Sequence, residues 1–375
     1  MSKITGFRGL VSFVFVLAFS LVSPSFAQEK GWEKEWATVL AAARKEGRVV
    51  VQGEPDPVVR RELLPKFTGR FGIRVEFIAG RTSQVVARVR MERRAKVYTV
   101  DVFLAGPGSS ALVLYPEKMI DPLKPLLILP EVVDPSKWKP GKLWFNDPED
   151  RFTLRLFSNV STMLHVNTNY VRPEEIRSAK DLLNPKWKGK MASADPKARG
   201  RAQSRAAAYY THHGEEFLKR LYADQKVRIS GTRRQLHDWL ARGTYPICLS
   251  CSEGYVKPLR KEGFPIATIY RLSDVKSDVS SSPFQLSIAN KRPHPNAARV
   301  FVNWLASKEG VEIYARGYGT VPLRNDIDES FLPQEIIPKP GVSYFDGSDW
   351  RYVTQERRKL RRRVRNILRE AMSSR

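Results

Sequence analysis

The chain has 375 residues, with 64 Lys and Arg against 39 Asp and Glu, a net charge of +25. At 42% hydrophobic and 27% charged residues it has the composition of a soluble globular protein, long enough for two lobes with separate cores. Its two cysteines are too few for a four-thiolate zinc site. Such a positive balance points to polyanions as partners.

In chain order, the first segment is a targeting signal. Lys3 and Arg8 precede an apolar run from Leu10 to Val22, Pro24 breaks it, and Ser25-Phe26-Ala27 supplies small residues around a cleavage site. This predicts a secretory signal peptide over 1–27, cleaved after Ala27 so that the mature chain begins at Gln28. The run of about 13 residues is shorter than the roughly 20 that a spanning helix needs. No cysteine follows it to carry a lipid, and an export signal argues against nucleic acid as the natural partner. Cleavage removes Lys3 and Arg8 and leaves +23 over 348 residues.

Trp32 to Glu46 reads as an amphipathic helix closed by Gly47. "GRVVVQGEPDP" then reads as a strand ending in a loop, "VVRRELLPKFTGRFG" as a helix, "IRVEFIAG" as a strand, "RTSQVVARVRMERRAK" as a helix and "TVDVFLAGPGSS" as a strand running into a Gly/Ser loop. Such alternation predicts βαβ units around a mostly parallel sheet, with ligands at the carboxyl edge. "RFTLRLFSNVSTMLHVNTNY" reads as two extended segments. A second alternation follows in "KGKMASADP", the helix "RAQSRAAAYYTHHGEEFLKRLYAD", "KVRISG", the helix "TRRQLHDWLARG" and the strand "TYPICLS". "SSPFQLSIANK" is extended again.

In "HPNAARVFVNWLASKEG" (294–310), Pro295 suits a first helical turn, His294 or Asn296 offers a cap, and Gly310 stands where a left-handed cap would end the helix. Ala297, Val300, Phe301, Trp304 and Leu305 line one apolar face. The tail from Asp326 is Pro-rich to about Gly347, then helical. In "RRKLRRRVRNILRE", Leu360, Val364, Ile367 and Leu368 keep helical spacing under the arginines. This predicts an amphipathic helix docked on the body with a solvated basic face, in preference to a contact with a membrane surface or polyanion.

Motifs for catalysis are missing. There is no G-x-S-x-G, H-E-x-x-H or G-x-x-x-x-G-K-[ST], and "GPGSS" (106–110) carries no lysine. His212 and His213 are adjacent, so on a helix they diverge by about 100° and cannot easily share a metal. Neither enzyme activity nor a cofactor or metal is expected. Cys248 and Cys251 sit in "YPICLSCSEGY". In a straight strand residues three apart face opposite ways, so a disulfide there requires a turn starting near Ser250, and the pairing stays open.

Ser83, Ser109, Ser110, Gly200, Thr232 and Ser252 all fall in short loops after expected strands. Each alone reads as ordinary helix capping; together, lining one cleft, they form a ligand shell in which free N–H groups bind an anion.

Three phrases, "DLLNPKWKGKMASADP" (181–196), "HPNAARVFVNWLASKEG" and "VPLRNDI" (321–327), make the stretch from about Trp32 to Asp326 resemble the extracellular solute-binding proteins of ABC importers, of the type labelled ferric-iron-binding. The resemblance implies a two-lobe, type II periplasmic binding fold of α/β class that closes on its ligand about a hinge. Lobe 1 would comprise 28–158 and 282–375, lobe 2 would comprise 159–281, and the hinge would lie at the extended crossings near 153–167 and 282–290. It also implies a periplasmic location, a permease in the inner membrane as partner, a small-molecule solute, no nucleic acid and a monomeric state.

Ferric binders of that family place two consecutive tyrosines shortly after the strand here written "TYPI" and a carboxylate after "DVF". Here the first stretch holds only Tyr255, and the second reads Leu104, Ala105 and Gly106. Ferric ion or a ferric chelate is therefore the alternative, and an anionic or anion-bearing solute the first expectation. A secreted α/β enzyme and a polyanion-binding protein are the rivals from other classes. The expected ligand residues are Gln52, Glu54, Arg81, Ser83, Ser109, Ser110, Arg199, Gly200, Ser252 and Tyr255, with Arg201 adding charge nearby.

Overall fold

The computed structural model describes residues 31–53, 58–80, 82–198, 200–281 and 284–373; of residues 82–84 only the backbone is described. Two α/β units are built one after the other, and the chain returns to the first.

The first unit opens with α1 (Gly31–Glu46), which buries Val39 and Ala43 and stops where Gly47 takes φ +70°. It continues through β1 (Arg48–Gly53), α2 (Leu64–Phe71), β2 (Arg74–Ala79), α3 (Thr82–Arg94), β3 (Val102–Ala105), the short α4 (Pro107–Ser109), β4 (Ile120–Asp121), the short α5 (Pro130–Val133) and β5 (Leu154–Arg155). The sheet runs β2-β1-β3-β13-β4, with β5 on β13 (Gln285–Ala289). β1 is parallel to β2 and β3, and β13 is antiparallel to β3. β1 and β3 are apolar runs because helices cover both faces. Val49, Val51, Val102 and Leu104 meet α1, α2 and α9 (Pro295–Ala306) on one face, and Phe103 and Ala105 meet Val85, Val86 and Val89 of α3 on the other.

The second unit holds β7 (Leu164–Asn167), β8 (Met191–Ala194), α6 (Arg201–Lys219), β9 (Arg228–Ser230), α7 (Arg233–Ala241), β10 (Ile247–Cys248), α8 (Glu253–Lys261) and β11 (Ile266–Ile269). Its sheet runs β11-β7-β10-β8-β9, parallel except at β7. Val166, Met191 and Ile247 pack beneath Ala206 and Tyr209 of α6; Ala192 and Cys248 pack beneath Leu236 and Leu240 of α7 and Val256 of α8.

Between the sheets lie β6 (Asn159–Val160), β12 (Asp278–Ser280) and β14 (Phe345–Asp346), which form a small sheet of order β14-β12-β6. β6 follows β5 on the outward crossing, and β12 precedes β13 on the return. Arg155, wholly buried, binds Asp346 of β14 at 2.7 Å and Asn146 at 2.9 Å, and stacks its guanidinium 4.1 Å from the Trp144 ring centroid.

Two expectations change here. Gly310 does not end the helix that Pro295 begins. α9 stops at Ala306, and Ser307 opens α10 (Lys308–Tyr318), accepting a hydrogen bond from Gly310 N–H. Gly310 lies inside α10 because the two helices meet so closely that a Cβ there would come 2.3 Å from the Trp304 carbonyl oxygen; the left-handed cap is Gly319, at φ +73°. The start of α9 is capped from another element: Glu46, the last residue of α1, accepts from Asn296 N–H at 3.2 Å and Ala297 N–H at 2.7 Å.

The other change concerns the C-terminal helix, α11 (Arg357–Ser373). It was expected with the first lobe, but it buries Val364, Ile367 and Leu368 in the core of the second unit, against α6. The segment before it touches the first unit, with Trp350 edge-on to Tyr115 at 5.0 Å. Among the described residues no helix is long and apolar enough to cross a membrane.

Candidate functional site

The strand-to-helix turns of the second unit face α10 of the first. Lys257 of α8 brings its Nζ 3.7 Å from where a Cβ on Gly319 would stand. The crossing strand β6 joins in, Asn159 Nδ2 donating to Thr320 Oγ1 at 2.7 Å and Asn159 Oδ1 accepting from Val321 N–H at 2.7 Å.

Arg201 dominates this region electrostatically. It is the first residue of α6, a helix that breaks at Gly214, where φ is +77°, and it follows Gly200, whose φ of +148° favours glycine. Its Nη1 donates to Thr162 Oγ1 at 3.3 Å. The residue remains open to water while its guanidinium is surrounded by protein, as befits a group lining a cleft. Desolvation, and then the Arg205 cation, bring its pKa down to about 10, so it is charged at neutral pH; Tyr318, Asp278 and Glu253 oppose that fall. Arg205, one turn on, is engaged through both Nη atoms: it donates to the Thr162 carbonyl and pairs with Asp278 at 3.1 Å, while Asp278 also accepts from Ser161 Oγ at 2.7 Å. Arg201 thus has one weak side-chain partner, which leaves its charge available.

The opposite charge is Glu253, the first residue of α8. Arg260 donates to its carboxylate at 2.6 and 3.0 Å, Thr268 Oγ1 at 3.1 Å and His165 Nε2 at 3.1 Å. Desolvation works to raise its pKa, but the hydrogen bonds from His165 and Arg260 outweigh it and hold the group at about 2. Burial lowers the pKa of His165, so the ring stays neutral and donates as an N–H to the carboxylate.

The expected residues fall into three groups. Glu54, Arg81 and Arg199 lie outside the described residues, as does the side chain of Ser83, whose backbone is in the first turn of α3. Gln52 and Ser110 are turned inward. Gln52 is fully buried with neither amide atom partnered, on the sheet face it shares with Phe103 and Ser287; Ser110 is buried with its hydroxyl directed at the Gly106 carbonyl, 3.4 Å away. Ser109, the last residue of the short α4, is half-buried beside Gly108, against which Arg357 lies.

Gly200, Ser252 and Tyr255 stand at the turns of the second unit. Ser252 N–H donates to His237 Nε2 at 3.1 Å, and His237 Nδ1 bonds the Arg233 carbonyl at 2.7 Å, so the proton is assigned to Nδ1. Tyr255, exposed, stacks on the same imidazole with centroids 4.8 Å apart. Thr232 is an ordinary cap, accepting from Gln235 N–H. Cys248 and Cys251 form a disulfide, and the turn it needs is present at Ser250, whose Oγ accepts from Ala194 N–H at 2.8 Å. This bridge fixes the loop that presents Ser252 and Glu253.

Thr162, Glu253 and Tyr318 were not among the expected residues. An acidic residue directly after a capping serine, as in Ser252-Glu253, was the one local signal for any of them.

Known proteins share both the sequence pattern and the fold. The family described as bacterial extracellular solute-binding protein matches residues 62–340. An uncharacterised protein of Haemophilus influenzae is 24% identical over 290 residues, which are 73% of this chain and 77% of that one. The structure of the periplasmic binding protein AfuA from Actinobacillus pleuropneumoniae with fructose-6-phosphate bound is similar in fold, at TM-score 0.60 and 18% identity over 88% of this chain and 99% of that one. So is the Trichodesmium IdiA (FutA) protein in complex with iron and citrate, at TM-score 0.61 and 17% identity over 87% and 99% of the two chains. The architecture is that of the type II periplasmic binding proteins, and the chain belongs to the bacterial extracellular solute-binding protein family.

Proposed function

We propose that this protein is the periplasmic binding component of an ABC importer, and that it captures a small anionic or anion-bearing solute between its two units for delivery to a permease in the inner membrane. The observation that carries the reading is Arg201: an exposed residue whose guanidinium stays charged while walled by protein, placed at the start of α6 where free N–H groups and the helix dipole also favour an anion. Glu253, ionised nearby, adds an acceptor for a hydroxyl or ammonium on the same solute. The neighbouring structures carry fructose-6-phosphate in one case and iron with citrate in the other; a phosphate or carboxylate suits the charge at Arg201. The lobes are 28–158 with 282 to about 344, and 159–281 with α11, closing about the β6–β12–β14 sheet. No catalytic step is assigned to the site.

Direct ferric binding is the weaker reading. Among the described residues no group of three His, Cys, Asp or Glu is placed to hold a metal ion, and where ferric binders of the family carry two consecutive tyrosines this chain has only Tyr255. Gently purified protein examined by native mass spectrometry, followed by calorimetry against sugar phosphates, carboxylates, neutral sugars and ferric citrate, tests the proposal. Arg201→Gln is expected to weaken an anionic ligand about 10- to 100-fold, the worth of a charge-assisted hydrogen bond. Binding of neutral sugars alone, or an anion affinity unchanged in Arg201→Gln, would overturn it.

A further inference from the structure

We propose that the outer face of α11 is a docking surface for an anionic phospholipid bilayer. The helix lies beyond the residues 62–340 that match the family. Its apolar side is already occupied, with Val364, Ile367 and Leu368 buried against the second unit. That leaves Arg358, Lys359, Arg362, Arg363, Arg365 and Arg369 exposed. Arg358, Arg362, Arg365 and Arg369 fall within about 60° of arc on the side away from that core, a stripe roughly 16 Å long. None of these four has an acidic partner among the described residues.

A stripe of unpaired cations on a convex helix fits a flat array of phosphates. The helix cannot insert, because its apolar residues are engaged in the core, so the attachment is electrostatic and reversible. The exposed positions of α11 include no Trp, Tyr or Phe on which bases could stack, which disfavours a single-stranded nucleic acid as the occupant. A family whose members act outside the cytoplasm also places this face near lipid rather than near nucleic acid. The inference does not depend on which solute the cleft holds.

The test is co-sedimentation of the purified full chain with vesicles of phosphatidylcholine and phosphatidylglycerol at 7:3, against pure phosphatidylcholine vesicles, from low to high salt. The chain is expected to bind the phosphatidylglycerol vesicles, to release as salt rises through the range where the screening length shrinks to about 8 Å, and to ignore phosphatidylcholine. The variant R358Q/R362Q/R365Q/R369Q is expected to lose at least about tenfold in partition coefficient. A control of equal charge change on α1, α2 and the helical turn leading into α2, K34Q/K45Q/R61Q/K66Q, whose side chains are exposed on the first unit, is expected to lose less than about twofold. Thermal melts of both variants establish that they are folded. Failure of the parent chain to bind phosphatidylglycerol vesicles at low salt would overturn the proposal. So would equal losses in the two variants, which would assign the binding to overall charge, or tight binding of heparin or DNA by a chain that ignores the vesicles.

Discussion

Replacing Glu253 by Gln keeps the shape of the side chain and removes its charge. The carboxylate is held at about 2 instead of the usual 4.5. At about 1.36 kcal/mol for each tenfold change in proton affinity, that difference is worth at most roughly 3.4 kcal/mol to the folded state. A third of the side chain is open to water, and screening there reduces the figure to about 2 kcal/mol. Because the folded value is depressed, the stabilisation is fully present above about pH 4.5 and is lost as pH falls through about 2. Urea unfolding of the parent chain and Glu253→Gln at pH 7 should therefore differ by about 2 kcal/mol, and at pH 3 less than half of that difference should remain. A difference that is the same at both pH values would mean the pair contributes by packing alone. A difference of about zero at pH 7 would mean that the hydrogen bonds from Arg260 and His165 merely repay the cost of burying the charge.

Two further substitutions probe the frame around the site. Gly310→Ala forces a Cβ to within 2.3 Å of the Trp304 carbonyl and 2.6 Å of Leu305 Cα; backbone must shift, and a loss of about 2–3 kcal/mol in chemical unfolding is expected. Replacing both Cys248 and Cys251 by Ser opens a four-residue loop, for which chain entropy gives a loss of about 2 kcal/mol. The same variant should weaken solute binding in calorimetry, since the bridge fixes the turn carrying Ser252 and Glu253.

Legibility differed between the fold and the site for a physical reason. Strands such as Arg48–Gly53 and helices such as Arg233–Ala241 announce themselves through local periodicity and end signals, and these emerged where expected. The segment 253–269 did not: α8 carries Pro258 in its interior and mixes charged with apolar residues, and β11 is four residues long. The two cases that went astray turned on packing between elements, between consecutive helices at Gly310 and against distant chain for α11. The position of Gly310 is explained only by its approach to Trp304, and the seat of α11 only by the apolar groove beside α6.

At the site, loop residues were read as available because loops usually are. Gln52 and Ser110 are instead drawn inside by the strand ends and helices that cover them. Thr162, Arg201, Glu253, Asp278 and Tyr318 come together from five separate segments, and no spacing in the sequence records that meeting.

The C-terminal segment has a mechanical consequence. Two bodies joined by two neighbouring strands can open, twist and slide. Here a third connection leaves the first body after α10, adds β14 beside β12, places Trp350 against Tyr115, and ends as a helix bedded on the second body. Because the third connection pairs within the same small sheet as the other two, it is expected to stiffen the crossing against twist and sliding, so that closure of the two units would take the form of a swing about that sheet. On that expectation the molecule would move as a door on a pinned axle rather than as two beads on a pair of strings.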